Sequence, residues 1–173
     1  MSRYLLNLPR GFRWGYLLLV VLLGLCVGGF AEINEETAPL HLVINEIEIN
    51  PAGFDTGNEW VELYNPTGEA VDLEGWQISY TYRGPETQVI ATESTLIKPG
   101  EYFVYTYSGL RLTNATPGIV RLIDPEETVI DQTSPFKDED NDEKTWQRFP
   151  DGGDPLWPDL WFFIPATQGR SNS

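Results

Sequence analysis

The sequence predicts an all-β fold from His41 onward, with two sheets closing on each other as a sandwich or barrel. Three observations support this. Proline and glycine punctuate the chain about every ten residues. The segments between them are rich in Val, Ile, Tyr, Trp and Thr, and nothing beyond His41 reads as helical. The clearest segment, GWQISYTY (75–82), alternates strictly: Trp76, Ile78, Tyr80 and Tyr82 share one face, and Gln77, Ser79 and Thr81 the other. Strands of this kind bury one side each, so a second sheet must cover them.

The elements follow in order. LVINEIEI (42–49) and EWVELYN (59–65) are the first two strands, the second stopped by the Asn65-Pro66-Thr67-Gly68 turn. After GWQISYTY come TQVIA (87–91) and EYFVYTY (101–107), the latter entered through Lys98-Pro99-Gly100. GIVRLID (118–124), TVIDQ (128–132) and TWQRF (145–149) complete a set of about eight strands. PLWPDLWFFIP (155–165) crowds Trp157, Trp161, Phe162 and Phe163 together. Because Trp161 alternates with Phe163, part of this segment is expected to close the sandwich. The remainder is a candidate exposed binding patch.

An apolar leader helix is expected ahead of the domain. Residues 1–15 are basic and aromatic, with Arg3, Arg10 and Arg13, and no acid precedes Glu32. YLLLVVLLGLCVGGFA (16–31) then ends in small residues that suit cleavage after Ala31. Counted from Trp14, the apolar run reaches 18 residues, the lower limit for an uncleaved membrane anchor. The chain thus divides into a signal peptide or anchor (1–31), a polar linker (32–40) and a β-domain (41–173). Either form of the leader places the domain outside the cytoplasm, secreted or at the cell surface.

Composition excludes several function classes. The net charge is −15, and removing the leader's three arginines makes it −18. Nucleic acid, whose binding relies on lysine and arginine neutralising phosphates, is a poor partner for such a chain. A bare anionic membrane is disfavoured for the same reason. The single cysteine, Cys26, lies in the leader, so the domain has no disulfide, thiolate metal site or cysteine nucleophile. With His41 as the sole histidine, a Ser-His-Asp triad or a His-based metal cage has little to work with.

INEIEINPAGFDTGNEWVELYNPTGEAVDLEGWQI (44–78) resembles the opening half of the lamin tail domain family. The resemblance rests on Asn45-Glu46, Asn50-Pro51, the run Glu59 to Asn65, and the step from Val71 to Gly75-Trp76. IKPGEYFVY (97–105), VIDQT (129–133), TWQRFPDG (145–152) and ATQGRSN (166–172) continue it in order to the end of the chain. Gln168 stands where the family shows a proline before glycine, and DPLWPDL looks like an insertion. The resemblance implies an immunoglobulin-like β-sandwich of the exported prokaryotic type, with no catalytic residues to carry over.

Two sets of acids are candidate sites. Glu59 and Glu62 cannot act as a pair on one strand face, because odd and even positions point oppositely. Glu62, between Trp60 and Tyr64, is expected to tie loop backbone together, with Glu46 in a similar role. Asp138, Asp140 and Asp142 in KDEDNDEK (137–144) alternate as in calcium loops and are the candidate metal ligands, for calcium, with Asp151 or Asp154 assisting. Glu143 and Phe149 occupy the positions where an EF-hand needs glycine and glutamate, so that motif fails. Asn114-Ala115-Thr116 is a glycosylation sequon followed by Pro117.

The reading that emerges is a non-enzymatic, exported interaction or structural module whose partner is a protein or a surface polysaccharide. No cofactor is expected apart from the calcium just named. The alternatives are a metal-dependent hydrolase using the 138–142 loop with Glu62 or Asp151, and a calcium-binding subunit of a surface complex.

Overall fold

The computed structural model describes residues 41–81, 85–109, 112–153 and 160–172. The leader helix and the choice between cleavage and anchoring fall outside the described residues, as does Trp157. Among the described residues there is no helix. The described residues form eleven strands in order: β1 (Val43–Glu48), β2 (Trp60–Tyr64), β3 (Val71–Asp72), β4 (Gln77–Thr81), β5 (Pro85–Val89), β6 (Leu96–Ile97), β7 (Tyr102–Thr106), β8 (Ile119–Ile123), β9 (Val129–Gln132), β10 (Lys144–Arg148) and β11 (Trp161–Pro165). Each segment expected to be a strand is one, to within a few residues. β3, β6 and β11 come in addition, and β11 lies in the aromatic segment.

All pairings between these strands are antiparallel. One sheet has the order β11-β10-β1-β2-β7, the other β5-β4-β8-β9, and β3-β6 form a small ribbon beside them. Their facing sides enclose the core in an immunoglobulin-like sandwich. Ile44, Ile47, Val61 and Leu63 meet Ile78, Tyr80, Val120 and Leu122 across it, with Leu73, Ile97 and Leu112 at the margins. Full burial of each such side chain contributes about 1.5–3 kcal/mol. An aromatic group closes one end: Phe136 stacks on Trp146 at 4.4 Å and lies 5.0 Å from Trp161, while Phe163 sits 5.3 Å from Trp146.

One irregularity sets the phase of the first sheet. Ile44 pairs with Leu63, but Glu46, not Asn45, is the next residue to find a partner, Glu62. Asn45 is therefore the extra residue of a β-bulge, which shifts the alternation by one position. Leu42 and Ile44 before it and Ile47 and Ile49 after it all reach the core. Glu46 and Glu48 turn to the outer face.

Turn chemistry follows the local sequence. Asn65, fully buried, accepts the Thr67 amide on Oδ1 at 2.9 Å, and its Nδ2 donates to the carbonyls of Glu69 and Ile97. Gly169, at φ 76°, takes the third position of a turn closed by Arg170 N–H to Thr167 O at 3.0 Å, the type II pattern. Gln168 fills the second position, where proline is merely favoured, so its presence there leaves the turn intact.

Gly118 is required by a close approach. A Cβ built there would come within 2.2 Å of the Tyr80 ring, whose hydroxyl contacts Thr113 at 3.0 Å. Gly118→Ala is therefore expected to destabilise the fold by roughly 1–3 kcal/mol through overpacking. A lowered urea midpoint at unchanged m-value is the expected result; an unchanged midpoint would show that the ring gives way freely.

Candidate functional site

Three polar assemblies remain once the core is formed. The largest covers the outer face of the five-stranded sheet. Glu46 and Glu62 stand opposite each other there on β1 and β2, both fully buried. Like charges in this position repel unless donors surround them. The donors come from far along the chain. Glu46 Oε1 accepts the Thr167 amide (2.8 Å), the Thr145 hydroxyl (2.6 Å) and Gln147 Nε2 (3.2 Å), and its Oε2 accepts the Thr167 hydroxyl (2.8 Å). Glu62 Oε2 accepts the Gly169 amide at 2.6 Å, and Asn45 Nδ2 reaches its Oε1 at 3.4 Å. Burial pushes the Glu62 carboxyl up to about 7, the Gly169 amide opposes this, and the Glu46 charge adds to the rise.

Asp151 and Asn172 complete this assembly. Asp151 Oδ1 accepts Asn45 Nδ2 (2.9 Å) and the Asn172 amide (3.0 Å), and its Oδ2 accepts the hydroxyls of Tyr102 and Ser171. Burial alone would raise the Asp151 carboxyl, but these hydrogen bonds outweigh it and hold it below the usual range. Asn172 Nδ2 donates to the carbonyls of Asn45 and Arg148. The expected role of Glu62 and Glu46, tying loop backbone together, is what the geometry shows. Glu59, just ahead of β2, lies elsewhere and accepts the Leu112 amide at 3.2 Å, so Glu59 and Glu62 serve different loops.

The second assembly joins the two sheets. The β1–β10 pairing covers Glu46 and Ile47, so the backbone of Ile44, paired with Leu63 on its other side, has no strand partner toward β10. Asp131 of β9 accepts its amide at 2.8 Å, and Arg148 Nε donates to its carbonyl at 2.8 Å. Arg148 and Asp131 then pair with each other at 2.6 Å, both nearly buried. The guanidinium also lies 4.9 Å from the centre of the Trp161 ring. This group floors a cleft of about 580 Å³ whose lining includes His41, Val129, Gln132 and Ser134. Val129 is 48% exposed at its rim. Sequence reasoning missed this pairing, because no local pattern links residues 131 and 148.

The third assembly is the acidic segment. Asp138 is buried at 4% exposure, whereas Asp140 is exposed and Asp142 is held by the amide and ammonium of Lys144. Among the described residues, no three His, Cys, Asp or Glu side chains converge to hold a metal ion. The alternation of aspartates thus sends its members to different surroundings. Asp154, named as an assisting ligand, lies outside the described residues. Asn114 spends its side-chain amide on Asp55 at 3.1 Å and its carbonyl on the Asp138 amide.

The aromatic segment divides as expected between closure and exposure. Trp161 and Phe163 pack inward, while Phe162 is 47% exposed and meets Phe149 edge-on at 5.9 Å.

Two outcomes follow. Glu46→Ala leaves the buried Thr167 amide and Thr145 hydroxyl without an acceptor and is expected to cost about 3 kcal/mol, read from urea unfolding. Stability should also depend on pH through the raised carboxyls. Burial lifts Glu48 to about 8, Glu62 to about 7 and Asp138 to about 6 from ordinary values of 4.5, 4.5 and 3.8. The folded chain therefore holds more protons than the unfolded chain between those limits, and stability falls as pH rises through 6 to 8. The unfolding midpoint in metal-free buffer should be higher at about pH 5 than at about pH 8, with a shallower decline in Glu48→Gln. A midpoint that rises toward pH 8 would contradict the assignment.

Comparison with known proteins agrees with the geometry. Residues 35–137, more than half of the chain, match the profile of the family described as Lamin Tail Domain. The match stops short of β10, β11 and the closing segment, although β10 pairs with β1 in the same sheet. No curated protein matches the chain. On the extent of the family match, borne by an all-β sandwich, the chain belongs to the lamin tail domain family.

Proposed function

We propose that this protein is a non-enzymatic interaction module that works outside the cytoplasm and engages a protein or a surface polysaccharide at the cleft between β9 and the β10–β11 pair. The observation that carries this reading is the Arg148–Asp131–Trp161 group. Arg148 is held by a backbone carbonyl, a carboxylate and an aromatic face at once, which makes it a rigid floor and not a mobile catalytic group. Around it, the cleft combines an aromatic ring with hydroxyl, amide and carboxylate groups, a mixture suited to binding. β9 and β11 are edge strands of their sheets, so the cleft opens where a partner has access. The acids elsewhere support the same reading: Glu46, Glu62 and Asp151 spend their oxygens on the closing segment. Export is supported by the basic and apolar pattern of residues 1–31 and by a charge of −15, which disfavours nucleic acid.

A capture experiment from cell envelopes tests this reading, with the full chain as bait beside Val129→Asp and Gln132→Ala. Both substitutions lie on the cleft rim and leave the core intact. Retention of one polysaccharide or one protein by the parent chain, reduced about tenfold or more by Val129→Asp, is expected. Equal retention by parent and variants would remove the cleft from the interaction.

A further inference from the structure

One cluster of buried oxygens belongs neither to the closing segment nor to the cleft. β1 ends at Glu48, the chain turns through Asn50 and Pro51, and the acidic segment runs alongside, with Pro51 bridged to Asp142. Glu48 Oε1 accepts the Asn50 amide at 3.2 Å, and Asn50 Nδ2 donates to the Asp138 carbonyl at 3.3 Å. Glu48, Asn50 and Asp138 are each 4% exposed. Asp138 Oδ1 accepts the Asp140 amide at 2.9 Å, but its Oδ2 is buried and accepts no hydrogen bond. A buried carboxylate oxygen without a donor is costly, whereas Glu46 and Asp151 receive donors on both oxygens. The lysines of the segment are engaged elsewhere, Lys137 with Glu139 and Lys144 with Asp142.

We infer that Glu48, Asp138 and the Asn50 side chain bind a calcium ion at the end of β1. Calcium accepts six to eight oxygens in a flexible arrangement, so two carboxylates, an amide oxygen, main-chain carbonyls and water suffice, and a cage of three acids is not required. Asn50 Oδ1 meets only a long 3.4 Å contact from Asn141, which leaves it available. Magnesium demands a tight octahedron and keeps its water, which a buried oxygen cannot provide. Zinc favours nitrogen and sulfur, whereas His41 lies in the cleft and Cys26 in the leader. Of the three alternating aspartates only Asp138 belongs to this site. Two carboxylates place the affinity at about 10⁻⁴ to 10⁻³ M, the range of extracellular modules. The site is independent of the cleft.

Urea unfolding of the full chain, with and without about 10 mM calcium, tests the inference against the same concentration of magnesium. At calcium ten times its Kd the folding equilibrium constant rises roughly tenfold. Calcium is expected to do this for the parent chain and for Asp140→Asn, but not for Asp138→Asn or Glu48→Gln. Those two variants replace a buried carboxyl by an amide of the same shape, so they should fold at least as stably as the parent in metal-free buffer. A lost calcium response in them therefore reports the site and not a failure to fold. No calcium response in the parent, an equal response to magnesium, or a full response in Asp138→Asn would each overturn the assignment.

Discussion

The extra residue at Asn45 is the constraint on which the rest of this fold depends. A strand alternating without interruption from Leu42 to Ile49 would send Ile44 and Ile47 to opposite faces and bury Glu46 and Glu48 in the core. One bulged residue reverses the phase midway, so that apolar residues on both sides reach the core and both glutamates face outward. A buried isoleucine contributes a few kcal/mol, and an unpaired carboxylate in the core would cost more than that. The bulge thus separates the sheet's apolar work from its polar work.

The outward carboxylates then need donors, and this organises the periphery. Glu46 and Glu62 face each other at a distance where their charges repel, and amides and hydroxyls of the closing segment resolve the conflict. The segment from Thr167 to Asn172 is in turn held on the sheet by carboxylates, not by an apolar face. Each side requires the other: the acids are tolerable only when covered, and the acids fasten the cover, with Asn172 adding bonds to the carbonyls of Asn45 and Arg148. Beyond the bulge, Ile44 has no strand partner on its β10 side, and Arg148 and Asp131 fill its backbone positions there while linking the sheets.

Much of the scaffold was legible along the chain. GWQISYTY behaves as its alternation indicates, with Ile78 and Tyr80 in the core; Asn65 makes the turn its side chain favours, and Gly169 the turn its lack of a Cβ allows. The phase break at Asn45 was not read along the chain, where LVINEIEI stands as one plain strand; the pairing with β2 reveals it. The polar assemblies were not legible, because their members lie far apart: 121 residues separate Glu46 from Thr167, and 104 separate Arg148 from Ile44. The different surroundings of the alternating aspartates were hidden for the same reason. Their spacing is a local property, whereas burial of Asp138 and solvation of Asp140 depend on Asn50 and the end of β1.

Local chemistry, then, determined the class of this protein: strands from their alternation, turns from proline, glycine and asparagine, and family from the order of motifs between Asn45 and Trp76. Tertiary structure alone decided which acids are covered and what covers them. The physical reason is that a carboxylate's character depends on the donors and water around it, and those are assembled by strand pairing between segments that share no sequence signal. GNEWVELYNP names a strand and its turn; only the arrival of Gly169 over Glu62 makes that glutamate a fastening for the end of the chain.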